Sequence, residues 1–257
     1  QRPASTATRR HHTFVATLGP QPEPTVPKAP QPQDSPRSDP SRQALGWLHT
    51  ARFLTTASQL HQLPEHDLPE IAFVGRSNAG KSTTINTLTQ QTRLAFASRT
   101  PGRTQHINLF ALGRGGGTDA VFADLPGYGY AAVPLADKTR WQQTMAAYLV
   151  QRPQLAAVVL LCDVRRGLHA LDEALLELIR PRVEAGLPFL LLLTKADKLN
   201  RAEQGKALSI ARLQAGGGQV QLFSAPKRQG VAEAALWLSA VATGAAGAQP
   251  HDAAAAQ

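Results

Sequence analysis

The sequence predicts an α/β fold, in which a mostly parallel six-stranded sheet with one antiparallel edge strand carries helices on both faces. Two observations support this prediction. Short apolar runs alternate along the chain with amphipathic stretches of helical period. The first apolar run, at residues 71–75, continues through a short loop into a helical stretch, which is the start of a β-α-β unit and favours parallel strands.

Six runs are predicted to be strands and five stretches to be helices. The strands are residues 71–75, 106–112, 120–124, 155–162, 189–193 and 219–223. The helices are residues 81–91, 139–150, 171–184, 201–214 and 231–241. A glycine-rich turn at 113–117 joins the second and third strands. Pro181 is expected to bend the third helix, and residues 45–70 receive no assignment.

Composition divides the chain into three parts. Nine of the nineteen prolines lie in residues 1–40, which have few large apolar residues. We therefore expect a disordered, Pro-rich basic arm at 1–44, one folded domain at 45–243 and a disordered tail at 244–257. An organelle-targeting segment would share the arm's lack of acidic residues before Glu23. An unstructured extension of a bacterial cytoplasmic protein is the preferred interpretation.

Charge and length limit the classes of partner. The net charge of +9 and the pI near 10.3 favour a polyanionic partner such as RNA or an acidic membrane surface, although basic tails without a partner are an alternative. The apolar runs are too short to span a membrane. We expect neither DNA nor a membrane as partner, and a monomer. The single cysteine, Cys162, excludes an internal disulfide.

A phosphate-binding loop is predicted where the first strand meets its helix. The pattern Gly-x-x-x-x-Gly-Lys-Ser stands here in its required strand–loop–helix context. Backbone N–H groups and the helix N-terminus would surround phosphate oxygens. Lys81 would contact the β- and γ-phosphates of a nucleotide, and the Ser82 hydroxyl would bind Mg²⁺. The predicted contacts are Gly75, Arg76, Ser77, Asn78, Ala79, Gly80, Lys81, Ser82 and Thr83.

A second segment follows the strand at 120–124. A carboxylate at the end of a buried strand, opposite the phosphate loop, can hold the water shell of Mg²⁺. A glycine three residues later lets a backbone N–H approach the γ-phosphate. The predicted residues are Asp124, Leu125, Pro126 and Gly127.

A basic loop at 98–105 is a candidate to close over Mg²⁺ and the γ-phosphate. Thr100 and Thr104 both fit as the metal-binding threonine. Thr104 is preferred, because Thr100 precedes a proline and is conformationally restricted. Gly102 and Arg103 complete the predicted contacts, although a solvated basic loop is the alternative for Arg103.

A guanine site is predicted after the strand at 189–193, which leads into Thr194, Lys195, Ala196 and Asp197. The Asp197 carboxylate can accept both the N1–H and the exocyclic amine of guanine, which adenine lacks. Lys195 would lay its aliphatic stem along the base. A helix N-cap is the alternative for Asp197. After the strand at 219–223, a backbone N–H would meet the guanine O6, with contacts from Phe223, Ser224 and Ala225.

With these motifs in order, the chain resembles the EngB (YihA/YsxC) family of ribosome-biogenesis GTPases. Segments 75–82, 100–105, 124–130, 193–199 and 223–230 carry the resemblance, and 51–57 looks like the family's lead-in. It covers roughly residues 45–243; Ala79 stands where valine is common. The resemblance implies a P-loop GTPase domain that binds GTP or GDP and Mg²⁺. It also implies the precursor of the large ribosomal subunit and its rRNA as partners, and supports Thr104 as a metal ligand.

Catalysis is assigned to Lys81, Thr104 and Gly127, with Ser82 and Thr104 on the metal and Asp124 bound to it through water. Tyr128 stands where Ras-like enzymes carry the glutamine that orients water, so we expect slow hydrolysis. A potassium ion bound partly by Asn78 is one substitute; a purely structural asparagine is the alternative. A GTP-gated binding module with negligible hydrolysis and a tRNA-modification or signalling GTPase are the alternative functions.

Further residues receive expectations of their own. Tyr128 and Tyr130 are expected to pack on a helix rather than stack on an RNA base. Cys162 is expected to be an inert core residue. Arg165 and Arg166 are expected in a solvated loop, and Lys227 and Arg228 are candidate rRNA contacts.

Overall fold

Seven strands and six helices make up the part of the chain that the structure describes. The computed structural model describes residues 39–96, 106–129 and 135–245. The strands are β1 (Arg52–Ala57), β2 (Glu70–Gly75), β3 (Ile107–Leu112), β4 (Ala120–Asp124), β5 (Leu155–Asp163), β6 (Phe189–Thr194) and β7 (Gln219–Leu222). The helices are α1 (Pro40–Leu48), α2 (Lys81–Leu88), α3 (Leu135–Gln151), α4 (Ala170–Glu184), α5 (Arg201–Ala215) and α6 (Val231–Ala242).

The strands form one sheet in the order β1-β3-β4-β2-β5-β6-β7. Strands β4, β2, β5, β6 and β7 are parallel to one another, whereas β3 runs antiparallel to both β4 and β1. The predicted fold class is therefore confirmed, with two corrections. The sheet has seven strands rather than six, and the strand at the edge is β1, not the antiparallel β3. The carboxyl ends of the five parallel strands meet at one edge of the sheet.

Strand β1 was missed because its side chains do not follow a buried strand pattern. Most of its residues are exposed, and only Ala57 is buried. Its pairing with β3 is also irregular between Phe53 and Thr55. A strand that is neither apolar throughout nor alternating gives no periodic signal in the sequence.

Helix α1 begins before the predicted domain boundary. Pro40 occupies the first turn, where its missing N–H costs nothing. The Asp39 side chain caps this helix by accepting a hydrogen bond of 2.9 Å from the backbone N–H of Ser41. Trp47 is buried and meets the Phe122 ring edge-on, at 6.2 Å between centroids. Residues 40–44, which we assigned to the disordered arm, therefore belong to the folded domain.

The inner strands β3, β4, β2, β5 and β6 are buried on both faces, as their apolar runs predict. Successive residues of β2 point to opposite sides. Ile71 and Phe73 pack with α1, α2 and α6, whereas Ala72 and Val74 pack with α3, α4 and α5. Helix α4 continues through Pro181 to Glu184. Within the described ranges, no helix is both long and apolar enough to cross a membrane.

A buried charge cluster lies at the amino end of β2. Glu70 is fully buried, and its carboxylate accepts hydrogen bonds from the Tyr148 hydroxyl at 2.5 Å and from Arg152 at 2.7 and 3.0 Å. Burial and the neighbouring Glu70 charge raise the pKa of Tyr148 well above its ordinary value. These contacts join β2 to the end of α3 at the edge of the sheet opposite its carboxyl ends.

We expect Glu70→Ala to lower the free energy of unfolding by about 3 kcal/mol, because the Arg152 charge would be left without its buried partner. Urea unfolding followed by circular dichroism measures this loss. Glu177→Ala is the matched control, because Glu177 forms an exposed ion pair with Arg180 and should change stability little. Equal losses in the two variants would contradict the assignment of Glu70 as a structural centre.

Candidate nucleotide-binding site

The loop between β2 and α2 has the backbone that its sequence pattern requires. Asn78 and Gly80 adopt left-handed conformations, with φ of 63° and 96°, which asparagine and glycine tolerate best. A Cβ atom on Gly75 would lie 2.7 Å from the Leu161 carbonyl oxygen. Only glycine therefore allows β2 to pass β5 this closely as the chain enters the loop.

Lys81 and Asp124 form a buried ion pair beside this loop. Lys81 is the first residue of α2, and Asp124 is the last residue of β4. The Lys81 ammonium contacts Asp124 Oδ1, and the carboxylate is only 1% exposed. The structure thus brings together the lysine and the carboxylate that the two sequence motifs predicted.

One oxygen of the same carboxylate has no protein partner. Asp124 Oδ2 is buried and has no hydrogen-bond partner among the described residues, and such an acceptor is suited to a water or a cation. Ser82 lies in the adjacent first turn of α2. Hydroxyl, carboxylate and water oxygens are the donors that Mg²⁺ prefers. No group of three or more His, Cys, Asp or Glu side chains gathers in the described ranges, so the fit rests on these oxygens.

The segment after β4 is hydrogen-bonded to the phosphate loop. Tyr128 N–H donates to the Gly75 carbonyl at 3.3 Å, and Ser77 N–H donates to the Tyr128 carbonyl at 2.8 Å. A Cβ atom on Gly127 would lie 3.4 Å from the Ser77 nitrogen. Leu125 is buried in the core below. The Asp-x-x-Gly segment therefore lies directly against the loop, as predicted.

Tyr128 packs inside the protein rather than projecting towards a partner. The side chain is 6% exposed, and its hydroxyl donates a 2.6 Å hydrogen bond to Asp172 Oδ1 at the start of α4. Burial and the Asp172 charge raise the pKa of Tyr128. The preference for packing over RNA stacking is confirmed for Tyr128. Asp172 was missed, because its partner lies 44 residues away in the sequence.

The segment after β6 is tied to the same loop. Thr194 Oγ1 donates to the Ala79 carbonyl at 2.5 Å, and Lys195 Nζ donates to the Asn78 carbonyl at 2.7 Å. Lys195 has a left-handed backbone with φ of 60°, which turns the chain sharply at the end of the strand. The lysine of the predicted base site therefore extends over the phosphate loop.

Asp197 lies next to Ser224, so the two predicted base-binding segments meet. The Ser224 hydroxyl donates a 2.7 Å hydrogen bond to Asp197 Oδ1, which lowers the pKa of Asp197 below its ordinary value. Ala196 N–H donates to the Phe223 carbonyl at 3.1 Å and joins the segments through the backbone. We predicted a backbone N–H at 224–225 but missed the Ser224 hydroxyl.

The alternative interpretation of Asp197 as a helix N-cap is wrong. Asp197 lies in a short 3-10 turn, and the cap of α5 is Asn200. Asn200 Oδ1 accepts from the Glu203 N–H at 3.0 Å. The Asp197 carboxylate does not cap a helix: Oδ1 accepts from the Ser224 hydroxyl, and Oδ2 lies 3.2 Å from the Lys198 ammonium.

Arg165 and Arg166 are exposed in the turn after β5, as predicted. The Arg165 guanidinium in addition donates to the Asp163 carboxylate at 2.7 and 3.0 Å. Burial raises the pKa of Asp163, but hydrogen bonds from Arg165 and Lys195 outweigh it and bring the pKa below its ordinary value. Cys162 is buried, and burial raises the pKa of its thiol to about 12, which agrees with an inert core residue.

Several predicted residues lie outside the described ranges. They are Thr100, Gly102, Arg103, Thr104 and Tyr130. The roles proposed for them stay predictions.

Three segments meet at this site: the glycine-lysine-serine loop, the Asp-x-x-Gly segment beside it and the Thr-Lys-x-Asp segment hydrogen-bonded to it. Together they define a P-loop GTPase. The family model described as a 50S ribosome-binding GTPase matches residues 70–195. The chain is 74% identical over 195 residues to the probable GTP-binding protein EngB of Acidovorax ebreus, covering 75% of this chain and 89% of that protein. The chain therefore belongs to the EngB family and is a GTP-hydrolysing enzyme.

Other comparisons agree. The EngB protein of Albidiferax ferrireducens is 74% identical over 196 residues, which cover 76% of this chain and 95% of that protein. The EngB protein of a Polaromonas species is 68% identical over 216 residues, covering 83% and 86%. A crystal structure of a probable EngB protein aligns with a TM-score of 0.53 at 18% identity, covering 68% of this chain and 99% of that one. At that identity the likeness supports the fold alone.

We expect Asp197→Asn to shift the base preference from guanine towards xanthine by about a hundredfold or more, because the amide can donate to the second carbonyl of xanthine. Competition of GDP and XDP for a fluorescent nucleotide measures the shift. Asp119→Asn is the control, because exposed Asp119 precedes β4 at the opposite edge of the sheet. An unchanged guanine preference in Asp197→Asn would contradict the assignment.

Proposed function

We propose that this GTPase is an assembly factor for the large ribosomal subunit that binds the subunit precursor and its rRNA in the bacterial cytoplasm. The observation that carries the proposal is family membership, together with a matching family model described as a 50S ribosome-binding GTPase. The net charge of +9 supports an RNA partner. Lys227 and Arg228 are exposed next to the base-binding segment and are our candidates for rRNA contact.

In the proposed cycle, a guanine nucleotide lies along the carboxyl edge of the sheet. Its base meets Asp197, and its phosphates meet the loop and Lys81. Lys81 then loses its contact with Asp124 and binds the phosphates instead. The left-handed Asn78 and Gly80 turn backbone N–H groups towards the same phosphates.

We infer that Ser82 and Thr104 hold Mg²⁺ directly and that Asp124 holds it through water. When bound, the ion neutralises negative charge that develops on the phosphate oxygens. Asp124 suits this role because its Oδ2 atom is buried without a protein partner. The Gly127 N–H, with no Cβ beside it, is our candidate contact for the γ-phosphate.

Intrinsic hydrolysis is proposed to be slow. Ras-like enzymes orient the attacking water with a glutamine at the position of Tyr128. Here the Tyr128 hydroxyl is bound to Asp172, which leaves it unable to orient water. Binding to the ribosomal precursor, and a potassium ion near Asn78, are the proposed means of acceleration.

In single-turnover assays without ribosomes, we expect GTP decay on the order of 10⁻³ per second or slower in sodium, and faster decay in potassium at equal ionic strength. Asn78→Gly should remove the potassium effect, since glycine keeps the left-handed backbone and the carbonyl bound by Lys195. Equal rates in both salts would exclude potassium, and fast decay in sodium would contradict slow intrinsic turnover.

Association with the ribosome can be tested by sedimentation of purified large-subunit precursors through sucrose. We expect the protein to sediment with them when a non-hydrolysable GTP analogue is bound, and to remain in the supernatant with GDP. The Asp197→Asn variant is an internal control, because it should sediment with the precursors only when the corresponding xanthine nucleotide analogue is bound. Sedimentation that ignores the nucleotide, or is absent with every nucleotide, would refute the assembly role.

A further inference from the structure

One buried carboxylate beside the site is not part of any predicted motif. Asp163 is the last residue of β5, paired across the sheet with Thr194, and it is 6% exposed. Its Oδ2 atom lies 3.0 Å from Lys195 Nζ. Its Oδ1 atom accepts hydrogen bonds from Arg165 N and Nε at 3.1 and 3.0 Å, and Oδ2 also accepts from Arg165 Nη2 at 2.7 Å.

Lys195 depends on this carboxylate for its position. Its ammonium has two protein contacts among the described residues, the neutral Asn78 carbonyl and the charged Asp163. The Lys195 side chain is 33% exposed, and a lysine stem loses much rotamer freedom when it is held in one geometry. A charge-assisted contact is about twice as strong as a neutral one, so Asp163 contributes most to fixing the ammonium over the loop.

We propose that Asp163 is a positioning residue for guanine nucleotides, which sets their affinity by holding Lys195 between the phosphate loop and the base site. The proposal rests on the nucleotide site proposed above. In this proposal the Asp163 carboxylate acts on the nucleotide only through Lys195. Lys195 lies between the Asn78 end of the loop and the base site, which bind the parts that GDP and GTP share. Asp163 therefore affects the affinities for GDP and GTP equally and leaves the rate of the hydrolytic step unchanged.

A purely structural role is the competing explanation, because Asp163 also shapes the turn that follows β5. Its backbone carbonyl accepts from Arg166 N and Gly167 N, contacts that a side-chain substitution retains. Its Oδ1 atom accepts from Arg165 N, and asparagine keeps an oxygen there. Asp163→Asn therefore removes the charge opposite Lys195 while preserving the turn.

The test is a double-mutant cycle between Asp163 and Lys195. The variants are Asp163→Asn, Lys195→Met, which keeps the aliphatic stem, and the pair combined. We expect Asp163→Asn to weaken GDP and GTP binding about tenfold in the wild-type background, as the loss of a charge-assisted contact implies. In the Lys195→Met background the same change should alter Kd by less than about twofold. Titration with a fluorescent GDP measures each Kd.

Two controls separate positioning from structure. Arg165→Gln removes the guanidinium that contacts both Asp163 oxygens but leaves the Arg165 backbone N–H and the contact with Lys195, so Kd should change by less than about twofold. The single-turnover rate at saturating GTP should be the same in Asp163→Asn and wild type. If Asp163→Asn fails to fold, Asp163→Ser keeps an oxygen for the turn and enters the same cycle.

Equal losses of affinity in both backgrounds would show that Asp163 acts through the turn rather than through Lys195, and would overturn the proposal. So would an unchanged Kd in Asp163→Asn alone. If the proposed nucleotide site were wrong, the result would be different, because wild-type protein would then bind no guanine nucleotide. Wild-type binding without coupling refutes only the role of Asp163.

Discussion

Two hydrogen bonds between the end of β6 and the phosphate loop join the predicted base site to the predicted phosphate site. Thr194 and Lys195 donate to the carbonyls of Ala79 and Asn78, which are neighbours in the chain. The partners lie 115 and 117 residues apart in sequence, and β5 separates their strands. These bonds set the distance between the part of the site that meets phosphates and the part that meets a base. A nucleotide of fixed length can then engage both.

Parallel strand direction makes this arrangement possible. Strands β2, β4, β6 and β7 all end at the same edge of the sheet, so the residue after each strand starts at the site. The commonest ligand position in open α/β sheets is this carboxyl edge. The inner strands pack against helices on both faces, and this close-packed interior holds the ends of the strands in place. Loops of a few residues then suffice to place each functional group.

Local chemistry explains which parts were predictable from sequence. The phosphate loop and the Asp-x-x-Gly and Thr-Lys-x-Asp segments were located correctly, because each needs particular residues at fixed spacing next to a strand. Asp163 and Asp172 were missed because their partners, Lys195 and Tyr128, are brought near only by folding. Strand β1 was missed for a different reason: it borders solvent, so its side chains are not constrained to alternate.

The charge cluster around Glu70 lies at the other end of the strand that carries the phosphate loop. Glu70 and Gly75 are the first and last residues of β2, and a strand rises about 3.3 Å per residue, so they are about 16 Å apart. The stability of the domain and the binding of the nucleotide thus depend on separate sets of charged residues. A substitution in the Glu70 cluster can therefore change the stability of the domain while the charges around the phosphate loop stay in place.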